Sequence, residues 1–209
     1  MRRARQLYYD LFSNAYDRFV AWHSGDSQRL LREFLAGLLP VAKGGAVLDL
    51  CTGTGALLPH LEGKVGRSGR VFGLDFSKGM LRKGARKVVG RTNIFLVQGD
   101  AGSLPFSDCA FGAVTCSHAF YELKGDSRER ALREIKRVLN HDGVFFMMEH
   151  EVPANQPAKA LFYLRLAVAG AGRARGFLLQ EQEILEAHFL SVEKIIAPSG
   201  RSKVMVCRK

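Results

Sequence analysis

Three carboxylates in this 209-residue chain stand where an apolar run gives way to a turn: Asp49 in "VLDLCTGTG", Asp75 in "VFGLDFS" and Asp100 in "VQGDA". The first is followed by Cys51, Thr52, Gly53, Thr54 and Gly55, and then by a helix-like pattern. A strand that ends in an acid and passes through a glycine turn into a helix lets backbone approach a ligand closely, with free helix N–H groups nearby. A second cluster, "TCSHAFYEL", carries Ser117, His118, Tyr121 and Glu122, and His150 closes the run "GVFFMMEH". Histidine is the natural general base in such a set, because its unperturbed pKa of about 6.5 lies near working pH. His118 is therefore the first candidate for moving a proton, with His150 and Tyr121 behind it. His118 could equally serve through its backbone or by packing.

The glycine turn narrows its own ligand. A phosphate-binding P-loop needs a Lys-Ser/Thr pair after its glycines, and Ala56, Leu57 and Leu58 follow Gly55 instead. The dinucleotide fingerprint can start at Gly53 and Gly55, but its third glycine position holds Leu58, which hinders close helix packing. Asp75 falls about 20 residues beyond the turn, where a carboxylate can accept ribose hydroxyls. Asp75 could also cap the helix that starts near Ser77.

The elements that must position these residues alternate. Strand-like runs at 46–50, 70–75, 93–98, 111–117 and 143–150 are separated by helical patterns near 55–62, 77–89 and 126–140. Asp126 and Ser127 are cap candidates for the last of these, and "HDG" at 141–143 reads as a turn. Such alternation predicts βαβ units and a parallel sheet covered on both faces. A helix near 179–188 precedes "SVEKIIAP" and "SKVMVCRK", and their short "PSGR" connection forces them to pair antiparallel. The expected fold class is α/β: a Rossmann-like, doubly wound, seven-stranded sheet, mostly parallel with an antiparallel C-terminal hairpin. One domain fits the length, with a helical N-terminal cover at 1–40, a core at 45–150, a lid-like insertion at 151–178, and the terminal helix and hairpin at 179–209.

Composition limits the function classes. With 47% hydrophobic and 24% charged residues the chain has the makeup of a globular protein. Its formal net charge of +11 could attract anionic lipid, nucleic acid or an acidic substrate, but the basic residues are scattered rather than gathered in a stripe. The four cysteines have no metal-ligand spacing, so no metal site is expected and reduced thiols in a cytoplasm fit best. The first residues lack the apolar core of a signal peptide, which predicts a cytoplasmic protein. "ALFYLRLAVAGAG", interrupted by Arg165, is too short to span a bilayer of about 30 Å and reads as a buried or interfacial helix.

The run "DLCTGTG", with Asp75, "GDAGSLPF" and "REIKRVLNHDG" in that order, resembles the class I S-adenosylmethionine-dependent methyltransferases. Cys51 stands where their first glycine does, and Asp142-Gly143 where they carry Pro-Gly. The segment "YYDLFSNAYDRF" resembles the helical cover of the subgroup related to ubiquinone/menaquinone biosynthesis and phospholipid N-methyltransferases. The resemblance implies S-adenosyl-L-methionine as cofactor. It implies that Asp49 and the turn Cys51, Thr52, Gly53, Thr54 and Gly55 hold the methionine end, aided by Tyr16. Asp75 would take the ribose, with Phe76 and Met80 following it, and Asp100 and the Ala101 N–H would take the base, with Ser117 and His118 closing the set.

The acceptor implied is small or lipid-like, a quinone precursor or a lipid amine. Segment 157–178 adds an apolar helix rimmed by Arg165, Arg173 and Arg175, suited to peripheral contact with an anionic membrane at its inner surface. Nucleic acid is disfavoured, because "SHAFYEL" lacks the Asn/Asp-Pro-Pro-aromatic motif of amino-group modifiers. The alternative from a different class is a noncatalytic S-adenosylmethionine-binding sensor or scaffold. The sequence leaves the oligomeric state open.

Overall fold

The apolar runs form strands β1 (Ala46–Leu50), β2 (Arg70–Asp75), β3 (Ile94–Gln98), β4 (Phe111–Ser117), β5 (Leu139–His150), β6 (Ser191–Ile196) and β7 (Ser202–Arg208). The helical patterns form α1 (Ser27–Leu38), α2 (Leu58–Val65), α3 (Lys78–Lys87), α4 (Asp126–Val138), α5 (Gln156–Val168) and α6 (Ala174–Glu186), with a 3₁₀ turn at Phe120–Glu122. These assignments come from a computed structural model that describes residues 27–168 and 174–209. The strands make one seven-stranded sheet in the order β3-β2-β1-β4-β5-β7-β6. Pairs among β1 to β5 are parallel, while β7 runs antiparallel to both β5 and β6. The expected topology is the observed one.

Alternation along the strands divides the core in two. Leu48, Leu50, Val114, Cys116, Phe145, Met147 and Met205 face Ala131, Leu132 and Ile135 of α4 and Phe177, Leu178 and Leu185 of α6. Val47, Val71, Ala113, Val144, Phe146 and Val204 face the other way, against Leu31 and Leu35 of α1 and Leu58, Leu61 and Val65 of α2. Burial on both faces is why the central strands read as nearly continuous apolar runs rather than alternating ones. Truncating a fully buried residue such as Leu48 or Leu132 to alanine is expected to cost about 2–5 kcal/mol.

Local physics moved four boundaries. Helix α2 starts at Leu58 instead of 55, because Gly53 and Gly55 hold φ of 56° and 69° and a right-handed helix cannot begin through them. The residue that caps α4 is Gly125, with φ 46°, rather than Asp126 or Ser127, and Asp126 pairs instead with Arg130 one turn on. "HDG" is not a turn but part of β5. Pairing there passes from Phe111↔Leu139 to Ala113↔Val144, so a wide bulge absorbs the extra residues and the strand continues. Helix α6 begins at Ala174, inside the segment read as a lid, and the other half of that segment is α5. Among the described residues no helix is long and apolar enough to cross a membrane.

Candidate functional site

The carboxyl ends of β1, β2 and β4 meet where the strand order reverses about β1, the crevice in which open α/β sheets bind ligands. The turn after β1 is fixed from several sides. Thr52 donates its N–H to the Leu74 carbonyl at 2.9 Å, and the Gly53 N–H donates to Asp75 Oδ2 at 2.8 Å. Asp75 Oδ1 accepts the Ser77 N–H at 2.9 Å, while Ser77 itself caps α3 by accepting the Met80 N–H. So Asp75 is not the helix cap; it ties the first glycine turn to the second strand. A Cβ built on Gly53 would meet nothing within 4 Å, which leaves open space over the turn.

Beneath the turn, Asp49 is 1% exposed and accepts hydroxyls from Thr52 at 2.6 Å and Thr115 at 2.8 Å. Burial pushes its carboxyl up to about 6 against the pull of those two hydrogen bonds. Thr54 is also buried, and its hydroxyl accepts from the Lys87 ammonium at 2.7 Å. Met80 is buried on α3. Asp49 and Thr52 thus brace the turn from below, while Gly53 lines its open side. Cys51 sits at φ 55°, a left-handed conformation that favours the glycine usual at this position.

Leu58 decides how closely α2 approaches. A Cβ on Gly73 would lie 2.9 Å from Leu58 Cδ1 and 3.0 Å from Thr52 Cγ2. The leucine therefore fills the space against β2 into which the third glycine of a dinucleotide site would draw the helix. Further along the same edge, Phe76 is 38% exposed, Asp100 is half-buried and accepts the Gly102 N–H at 3.0 Å, and Ala101 is buried. Together the edge offers open backbone, then a carboxylate, then a second carboxylate. A carboxylate can accept about four hydrogen bonds, so such an edge can meet several donors of a polar ligand.

The second half of the site lies at β4 and β5. His118, at φ 50°, donates its N–H to the Met148 carbonyl at 2.8 Å, and its ring lies 4.6 Å from that of His150. The two sequence-based base candidates are thus neighbours. Burial, with help from His150, holds the His118 imidazole well below its ordinary range; burial and the Lys203 charge bring His150 down to about 4. Both rings are neutral near pH 7, and His118 Nδ1 is buried without a hydrogen-bond partner among the described residues. Phe162 of α5 meets the His150 ring edge-on at 6.0 Å. Tyr121 lies in the adjoining 3₁₀ turn, and Ser117 ends β4, half-buried.

Sequence reasoning missed Thr115, Glu149, Lys203 and Glu181, all buried polar residues that surround these edges. A signal existed for two of them: Glu149 and Lys203 are single charges interrupting apolar strand runs, which deserves a partner when seen in sequence. Tyr16 and Arg173 lie outside the described residues. Among the described residues no group of His, Cys, Asp and Glu could hold a metal ion.

Comparison with known proteins places this geometry. The profile of the ubiE/COQ5 methyltransferase family matches residues 3–169, and the chain belongs to that family. It is 36% identical over 150 residues to a demethylmenaquinone methyltransferase of Staphylococcus epidermidis, a match covering 72% of this chain and 60% of that protein. The chain therefore spans about three-fifths of the length of the curated relatives it matches. A crystal structure of a SAM-dependent methyltransferase from Aquifex aeolicus shares the fold with a TM-score of 0.63 at 20% identity, covering 90% of this chain and 92% of that one. A Burkholderia thailandensis 1,6-didemethyltoxoflavin-N1-methyltransferase, solved with S-adenosylhomocysteine, shares it with a TM-score of 0.67 at 16% identity over 100% of this chain and 89% of that one.

Proposed function

We propose that the chain is an S-adenosyl-L-methionine-dependent methyltransferase whose acceptor is a quinone precursor taken from a membrane surface. The observation that carries the reading is the junction of Gly53 with Asp75 at the switch point, in a chain whose relatives are named demethylmenaquinone methyltransferases. Bound there, S-adenosyl-L-methionine supplies an activated methyl group on a sulfonium that is its own leaving group. The turn from Cys51 to Gly55 would hold the methionine end, Asp75 the ribose hydroxyls, and Asp100 with the Ala101 N–H the adenine.

The chain's remaining task is alignment and one proton. An acceptor oxygen or ring carbon that gains the methyl group loses a proton, and a neutral imidazole can accept it. His118 and His150 are the neutral imidazoles at this edge, and His118 Nδ1, without a hydrogen-bond partner among the described residues, could take up a proton in the tautomer that leaves its lone pair free. With Phe162 edge-on to His150 they form an aromatic cluster, a chemistry suited to an aromatic acceptor.

Peripheral membrane contact is supported by α5. Pro157, Leu161 and Leu164 recur at helical spacing on its exposed side, with Leu161 48% and Leu164 61% exposed, and exposed Arg165 lies beside them. An exposed apolar stripe with basic neighbours suits an anionic bilayer surface. The reading is tested by transfer of labelled methyl from S-adenosyl-L-methionine into demethylmenaquinol presented in anionic vesicles. Product with flotation on those vesicles is expected. Cofactor binding by calorimetry with no transfer into quinol, lipid or small-molecule pools would leave a cofactor sensor instead.

A further inference from the structure

Glu149 has no exposed surface, although it directly follows the apolar run 144–148 of β5. Its Oε1 accepts two backbone N–H groups, from Phe120 at 3.0 Å and Tyr121 at 3.3 Å, while its Oε2 is buried without a hydrogen-bond partner among the described residues. The turn those amides belong to is held at its other end as well. Arg128 of α4 donates Nε and Nη2 to the Leu123 carbonyl at 3.0 and 2.7 Å, and its guanidinium lies 4.4 Å from the Phe177 ring of α6. Phe177 in turn packs on Phe120, with ring centres 5.9 Å apart. The turn between the two histidine-bearing strands is therefore gripped from β5, α4 and α6 together.

Burying a carboxyl here is not the cheapest way to fill the space, since an apolar side chain of similar volume would pack without desolvating a polar group. What an apolar residue could not do is receive two buried N–H groups and so dictate where they sit. We propose that Glu149 is a positioning residue for the acceptor side of the site, fixing the 120–122 turn and thereby the approach of Tyr121 and His118 to the acceptor. The inference rests on the methyltransferase reading. Glu149 acts through the turn, so it is distinct from the groups that touch the substrate.

The charged surroundings of Glu149 come from every element packed on it: Lys203 of β7, its register partner; Glu181 of α6, ion-paired with Lys203; Cys116 of β4; and Glu151 with Lys194 of β6 beyond. Burial, reinforced by Glu181, pushes the Glu149 carboxyl up to about 8, against the N–H bonds and Lys203. At neutral pH it is protonated, and an amide can replace it in shape and in acceptor oxygen.

The test compares Glu149→Gln with Glu149→Leu in the full chain. Amide hydrogen exchange, which needs no activity, is expected to speed up at Phe120 and Tyr121 by about tenfold or more in the leucine variant and to stay near wild type in the glutamine variant. In the transfer assay with demethylmenaquinol, kcat/KM is expected to fall by about a hundredfold for leucine and by no more than about threefold for glutamine, with cofactor affinity unchanged in both. The glutamine variant should also lose any pH dependence of kcat centred near 8. Should the leucine variant fail to fold, Arg128→Met loosens the opposite end of the same turn and is expected to give the same kinetic pattern. Unchanged amide exchange, or a loss of cofactor affinity in step with activity, would overturn the proposal. Faster exchange in a protein whose wild type transfers no methyl group would overturn the methyltransferase reading and with it the positioning role, leaving a contact of the fold.

Discussion

At the ends of β1 and β2 the polar groups find partners close by: Thr52 and Thr115 satisfy Asp49, and Gly53 and Ser77 satisfy Asp75. At the ends of β4 and β5 the histidines are half-buried and Glu149 fully buried, and among the described residues His118 Nδ1 and Glu149 Oε2 find no hydrogen-bond partner. The first region is a finished surface whose shape is held by backbone and hydroxyl bonds. The second keeps titratable groups away from water with hydrogen-bonding capacity in reserve, and their pKa values spread from about 4 at His150 to about 8 at Glu149. A nucleoside cofactor needs a fixed cradle, whereas an acceptor that surrenders a proton needs groups whose protonation can respond. On the proposed reading, the two halves of one sheet edge divide those tasks.

Asp75→Ala should break the finished half most severely. It removes the anchor of the Gly53 and Ser77 amides as well as the ribose acceptor, and cofactor affinity measured by calorimetry is expected to fall by about a hundredfold or more. Retained affinity would mean that the turn holds its shape without that carboxylate. Next, His118→Ala and His150→Ala should each lower kcat by about a hundredfold with cofactor affinity intact, and the double variant should be little worse than either single one, because neighbouring rings share one proton path. Additive losses would separate the two histidines.

The pH dependence of stability sharpens the contrast further. The Glu149 pKa is raised from 4.5 to about 8, so the folded state binds the proton more tightly and stability declines as pH rises through that window. The His150 pKa is lowered from 6.5 to about 4, so stability declines as pH falls from 6.5 toward 4. Melting temperatures should therefore flatten between pH 4.5 and about 8 in Glu149→Gln and between about 4 and 6.5 in His150→Asn. The smallest effect is expected at Cys51→Gly. Relief of the left-handed backbone is worth about 1 kcal/mol, offset by lost packing of the thiol against the core that contains Cys116, so thermal stability should change little and cofactor binding should persist.

The mostly parallel sheet and its C-terminal hairpin are legible because each rests on short-range patterns: strand length and connection length. The grip of Asp75 on the Gly53 amide is not, since that bond spans the crossover. The pairing of His118 with His150 joins residues whose closeness follows from β4 lying parallel to β5, and parallel register is not written in either strand alone. The bulge at "HDG" failed for a related reason: a turn signal inside a strand is absorbed when the neighbouring strand keeps pairing on both sides of it. Lys203 and Glu181 came together only through the packing of α6 on β7.

Leu58 also constrains what this scaffold could be turned into. Replacing it with glycine to admit a pyrophosphate would first leave an unfilled gap against Gly73 and Thr52, at a cost of about 2–5 kcal/mol before any new ligand is bound. A redesign toward dinucleotides would therefore have to rebuild the seat of α2 on β2 in the same step, and single-residue changes along that route would be selected against as unstable intermediates. The leucine makes the present ligand preference hard to leave by small moves.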